Sequence, residues 1–193
     1  MLLNAQKAGI SSIVATPHIY HLKDLNEITI AYEAARQEAE RVDMDLRLGF
    51  EVRYRALLEF DQTDLFQHCI TGTKTLMLEF SNQQLPPKWE DILCGLIQTG
   101  VTPVIVHPER YEYIQKTPDL LAEMRGYGCK VQIDAAPLGY PFWNREGKTA
   151  KLILKKGWAD YIASDAHRPE HYEDLVEIRK KWLKQWPDSG TIA

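Results

Sequence analysis

The sequence predicts an α/β fold in which parallel strands alternate with helices and close into a barrel, and three observations predict it. Six short apolar runs are separated by longer amphipathic ones. Most of the runs are continuous in apolar residues rather than alternating, the pattern of strands buried on both faces beneath helices. Polar residues collect at or just past the C-terminal ends of five runs: His18, Glu51, Glu79, His107, and Asp165 with His167. An open doubly wound sheet gathers its functional residues at one switch point, whereas a barrel lets every strand end converge on one mouth.

In chain order, residues 2–9 read as the tail of an amphipathic helix closed by Ala8-Gly9. The β-branched run 13–16 is halted by Pro17, and residues 24–41 follow with Leu25, Ile28, Ala31, Tyr32 and Ala35 at helical spacing. Residues 46–52 are the second strand, and 56–68 a helical or irregular stretch. The third strand is 75–80; after Pro86-Pro87, residues 89–99 have helical periodicity ended by Gly100. Residues 102–106 are the fourth strand. A helix over 118–127 stops at Gly128, strand 130–134 follows, a helix over 145–156 stops at Gly157, and strand 160–163 precedes a last helix over 169–184.

Composition narrows the function. The 193 residues carry 23 Lys+Arg against 27 Asp+Glu, a net charge of −4, which speaks against a basic nucleic-acid-binding protein. With 45% hydrophobic and 26% charged residues, the chain has the makings of a real core, and residues 1–193 are expected to form one domain. No run approaches the roughly 18 apolar residues of a membrane span, so membrane insertion is not expected. The start at Met1-Leu2-Leu3-Asn4 has neither the basic region nor the long apolar region of a secretory signal. Cys69, Cys94 and Cys129 are odd in number and far apart, against both a disulfide framework and a zinc knuckle. The expected address is the cytoplasm.

Singly, each polar strand end has a bland explanation as a surface or satisfied core residue. Together they do not. Glu79 lies between Leu78 and Phe80, where an unmatched carboxylate carries a large desolvation cost, and His107 after Val104-Ile105-Val106 and Asp165 after Ile162-Ala163-Ser164 repeat that setting. Three His, two Glu and one Asp offer mixed nitrogen and oxygen ligands, a set suited to Mn²⁺, Fe²⁺ or Zn²⁺ rather than Ca²⁺. Paired metals of this kind suit phosphate-ester hydrolysis. Arg110, three residues after His107, could clamp the phosphate with its planar fork, and Arg168 is a weaker candidate for the same role. No GxxxxGK[ST] or GxGxxG motif is present, and no cysteine heads a phosphate-cradling loop.

The segments Ala15-Thr16-Pro17-His18, Gly49-Phe50-Glu51-Val52, Leu78-Glu79-Phe80-Ser81, residues 102–111 ending in His-Pro-Glu-Arg-Tyr, and Ala163-Ser164-Asp165-Ala166-His167 resemble, in order and spacing, the polymerase-and-histidinol-phosphatase (PHP) superfamily. Within it they are most similar to the bacterial tyrosine-protein phosphatases of capsule and exopolysaccharide operons. The resemblance runs from about residue 2 to 172. It implies a distorted seven-stranded β/α barrel and up to three divalent metals, usually manganese. The activity implied is dephosphorylation, by metal-activated hydroxide, of tyrosines on a partner kinase that controls polysaccharide export. By motif match, His18, Glu51, Glu79, His107, Asp165 and His167 are the implied metal ligands and Arg110 the phosphate contact, so that Arg110, His107 and Asp165 carry the chemistry.

The match also has a gap. The family opens with a strand bearing a His-x-His pair and an acidic turn; here the only close pair, His18 and His21, follows a later strand. The chain is therefore expected to be an N-terminally truncated form with six of seven strands, shortened at its C-terminal end too, weakly active or inactive and prone to aggregate. Two alternatives stand beside the phosphotyrosine phosphatase: a regulatory or vestigial kinase-binding domain without catalysis, and a small-molecule phosphoesterase such as a histidinol phosphatase.

Overall fold

Each apolar run becomes a parallel strand in the computed structural model of the chain, which describes residues 1–20, 25–60 and 65–182. Helix α1 (Leu2–Lys7) leads into β1 (Ser12–Ala15) and β2 (His18–Ile19). These two are one strand interrupted at Thr16-Pro17, since proline has no N–H to give to a ladder. Helix α2 (Leu25–Arg41) leads to β3 (Asp45–Leu48) and β4 (Glu51–Arg53), again one strand, broken at Gly49-Phe50. A Cβ on Gly49 would lie 2.9 Å from Ile70 Cγ1 and 3.3 Å from Val14 Cγ1, so the close approach there admits only glycine. The interrupted strands stay in register: β1 pairs with β3, and β2 with β4 so that His18 lies opposite Glu51.

The remaining strands are β5 (Thr75–Glu79), β6 (Thr102–Val106), β7 (Lys130–Asp134) and β8 (Tyr161–Ala163). The order β2-β4-β5-β6-β7-β8 is parallel throughout, and with the two breaks rejoined it gives the six expected strands. The connecting helices are α3 (Trp89–Gln98), α4 (Glu112–Lys116), α5 (Asp119–Gly126), α6 (Ala136–Gly139), α7 (Arg145–Lys155) and α8 (His171–Trp182). Residues 56–68, ambiguous in the sequence, contain two 3-10 turns, Ala56–Glu59 and Leu65–His68.

Burial on the two faces of the sheet shows that it curls. Leu76, Leu78, Ile105, Val131 and Ile133 belong to the large core shared with the helices. Met77, Val104 and Val106 face the other way into a smaller cluster with Ile70, Val14 and Tyr161. Val14 comes from β1 and Tyr161 from β8, at opposite edges of the strand order, so both edges reach one interior layer, as in a β/α barrel. Among the described residues no backbone pairing joins β8 to β1 or β2. The two edges instead face each other across a cavity of about 430 Å³, lined on one side by residues 13–18 and on the other by residues 163–167. No helix among the described residues is long and apolar enough to cross a membrane.

Candidate metal centre and its arginine

The strand ends deliver their polar side chains to one mouth in two groups. The first group comes from β2, β4, β5 and the end of β6. His18, Glu51 and Glu79 bring one ligand atom each within 4.8 Å of one another. Glu51 and Glu79 are buried, at 6% and 5% exposure. His18 Nδ1 stands 3.6 Å from Glu51 and 3.8 Å from Glu79, beyond hydrogen-bonding range. It is buried without a hydrogen-bond partner, as is Nδ1 of His107. His107 gives Nε2–H to Glu51 at 2.6 Å. Burial alone would lower the His107 pKa, but the hydrogen bond and charge of Glu51 raise it to about 9.

This group fits a divalent cation. Buried imidazole nitrogens normally find a partner, and two carboxylates crowded with imidazoles in a dry site call for positive charge. Donors spaced as His18 is from its two glutamates could share one ion at bond lengths of about 2.0–2.2 Å. His18, Glu51, Glu79 and His107 are thus the residues that could hold it.

The second group comes from β6, β7 and β8. After Val106 the chain turns through His107 at φ +35° into a short turn, Pro108–Arg110, and after β8 it turns through Asp165 at φ +45°. Left-handed backbone at a residue other than glycine costs about 1–3 kcal/mol and clusters at functional sites. Arg110 Nη2 pairs with Asp165 at 2.6 Å and also with Asp134, the last residue of β7. Asp165 is held below its ordinary value: burial opposes this, but the Arg110 hydrogen bond and charge prevail. His167 is exposed and gives Nδ1–H to the Asp165 carbonyl at 2.9 Å, which leaves Nε2 free to meet a metal or substrate. Both groups share walls: His18, Glu51, Asp165 and His167 line the cavity between the barrel edges. A second cavity of about 600 Å³ runs from Arg110, Asp134, Asp165 and His167 outward between α6 and α8, past Tyr140 and Asp174.

All six proposed ligands and Arg110 therefore reach the mouth, four in the first group and two beside the arginine. Arg168 is exposed, and no side-chain contact joins it to the site among the described residues. His21 lies outside the described residues. Four residues were given no role by the sequence reading. Asp134 is 1% exposed at the end of β7, the same strand-end position that exposed the others. Glu109 is fully buried and accepts from the Asp134 N–H at 2.8 Å. Arg53 donates Nε–H to Glu79 at 2.8 Å and lies over the Tyr20 ring. Tyr111, also fully buried, accepts from Phe80 N–H and donates to the Val106 carbonyl, bracing the ends of β5 and β6 that carry Glu79 and His107.

Barrel, donor set and arginine define a class: a parallel β/α-barrel protein with a mixed nitrogen and oxygen candidate metal centre at the C-terminal mouth. Comparison with known proteins narrows it. Tyrosine-protein phosphatase YwqE of Bacillus subtilis is 30% identical over 186 residues, covering 92% of this chain and 73% of that protein. Tyrosine-protein phosphatase CpsB of Streptococcus agalactiae is 31% identical over 198 residues, covering 92% and 79%. Among solved structures, one from the work on YwqE of B. subtilis and CpsB of Streptococcus pneumoniae, described as metal-dependent tyrosine phosphatases, matches with a TM-score of 0.78. Its identity is 26%, over 94% of this chain and 77% of that one. The chain belongs to the CpsB/CapC family of capsular polysaccharide synthesis, whose profile matches residues 1–185. The expected family and fold are borne out.

Proposed function

We infer that this chain is a metal-dependent tyrosine-protein phosphatase of capsular polysaccharide synthesis. The observation that carries the reading is the convergence of His18, Glu51 and Glu79, with a His18 Nδ1 that has no hydrogen-bond partner, beside a cavity shared with Asp165, the ion-pair partner of Arg110, in a member of this family. The relatives' names favour neither a non-catalytic kinase-binding domain nor a histidinol phosphatase.

The metal ligands we assign are His18, Glu51, Glu79, His107, Asp165 and His167, with manganese as the ion. A bound divalent ion supplies charge for the phosphate oxygens and a water acidified toward neutral pH. Arg110 offers the guanidinium that meets the non-bridging oxygens of the phosphate. The tyrosine ring enters through the larger cavity, which leads to Arg110 and Asp165. Its oxygen leaves as a phenolate with an ordinary pKa of about 10, a good leaving group that asks little of a general acid. The substrate is a phosphotyrosine segment of a polysaccharide-biosynthesis tyrosine kinase, met in the cytoplasm.

The test is phosphate release from a phosphotyrosine peptide, from p-nitrophenyl phosphate and from histidinol phosphate with added MnCl₂. Turnover of the first two, however slow, that EDTA abolishes is the expected result. Faster release from histidinol phosphate, or turnover indifferent to EDTA, overturns the reading.

A further inference from the structure

Asp134 is a buried carboxylate that the metal centre does not account for. It ends β7, is 1% exposed, and is not among the three residues whose ligand atoms converge. Its one charged partner among the described contacts is Arg110. Two links of different kinds tie the turn Pro108–Arg110 to the end of β7. The Asp134 N–H donates to Glu109, and the Arg110 guanidinium forms an ion pair with the Asp134 carboxylate, neither oxygen of which has a hydrogen-bond partner. Neighbouring residues on the turn thus grip one residue of the strand by its backbone and by its side chain.

Resting on the reading of Arg110 as the phosphate contact, we propose that Asp134 is its positioning residue. An arginine side chain gives up much rotamer freedom when it binds, and a buried carboxylate at the root of the guanidinium removes that freedom beforehand. Both ion pairs use Nη2, which leaves the Nη1 and Nε donors to meet phosphate oxygens. Asp165 cannot serve as the anchor in the working enzyme. Its side chain is 22% exposed against 2% for Asp134, and it belongs to the assigned ligand set, where a metal competes with the guanidinium for its oxygens. Asp134 keeps Arg110 aimed at the mouth while leaving Asp165 to the metal.

The experiment is a double-mutant cycle on the Mn²⁺-loaded chain, with the inhibition constant of inorganic phosphate and the KM and kcat for a phosphotyrosine peptide as readouts. Asp134→Asn is isosteric and keeps an acceptor. It is expected to raise the phosphate Ki and the KM about tenfold, with a smaller loss in kcat and unchanged metal content. In an Arg110→Ala background the same change is expected to move neither constant further. If Asp134→Asn does not fold, Asp134→Glu replaces it: the longer carboxylate keeps its charge but displaces the guanidinium, and the same rise is expected. Weakened phosphate binding in Arg110→Ala beside an unaffected Asp134 variant overturns this proposal alone. An unchanged Ki in Arg110→Ala overturns the phosphate role of Arg110, and the proposal with it. An equal effect of Asp134→Asn in both backgrounds shows that Asp134 acts through something other than Arg110, and overturns the proposal as well.

Discussion

The two halves of the barrel mouth are built on different terms. On the β2 to β6 side, His18, Glu51 and Glu79 converge and His107 joins them through Glu51, with two imidazole nitrogens lacking hydrogen-bond partners and Arg53 meeting Glu79 alone. On the β7 and β8 side, the acids Asp134 and Asp165 share a cation in Arg110. The first half is the drier in its carboxylates, with Glu51 and Glu79 buried, and is pinned by strands; the second opens to a larger cavity, with His167 exposed. Under the proposed function this contrast becomes a division of labour, one half assigned to metal and the other to admitting and gripping phosphate, with Asp165 at the seam.

The largest expected effect comes from breaking the drier half. Glu51 touches His107 and faces His18, so Glu51→Ala removes a shared partner, leaving the buried His107 without its acceptor and His18 facing Glu79 alone. Turnover is expected to fall on the order of 10³-fold, with bound manganese lost in parallel by elemental analysis. Full metal content in that variant would remove Glu51 from the ligand set. His107→Ala is expected to behave alike, while His68→Ala supplies the contrast. His68 is buried and stacked on Phe60 at 4.1 Å, so its loss costs about 2 kcal/mol of stability, a fall of several degrees in Tm, with kcat retained.

The next effect sharpens the comparison from the other side. Arg110→Ala is expected to raise the KM for a phosphotyrosine peptide by about 10 to 100-fold, as loss of a charge-assisted contact does, with metal content intact. If metal leaves with the arginine, the two halves are not separable and the division of labour fails.

How much of this could be read in the residues follows the same line. The six strands were legible because burial on both faces writes itself as unbroken apolar runs such as Val104-Ile105-Val106. Their ends were legible because a His or carboxylate after such a run is conspicuous. The interruptions at Thr16-Pro17 and Gly49-Phe50 were not read, since Pro17 looks like a stop rather than a pause and Gly49-Phe50 sits inside the run 46–52, which reads as one strand. Helices α4 and α6 were missed because five and four residues are too short for periodicity to register. Asp134 ended a run just as Asp165 does, yet with no motif around it it passed for the edge of a strand. Arg53 could not be found at all: its importance lies in sitting opposite Glu79 on the neighbouring strand, a matter of pairing and not of spacing.

The smallest expected effect concerns groups that belong to neither half. The absence of a cysteine heading a phosphate-cradling loop set aside a thiol nucleophile, and the structure gives that a physical form. Burial pushes the Cys69 thiol up to about 11 and the Cys129 thiol up to about 12. A group whose pKa rises becomes anionic only at higher pH, so at pH 8 the thiolate fractions are on the order of 10⁻³ and 10⁻⁴. Only Cys94, partly exposed on α3, is open to reagents. Iodoacetamide at pH 8 is therefore expected to label Cys94 alone by mass spectrometry and to leave phosphate release within a few per cent of the untreated rate, roughly the noise of such an assay. Inactivation that tracks labelling of Cys69 or Cys129 would mean that a thiol takes part, and the chemistry would no longer be divided between a metal-holding and a phosphate-holding half.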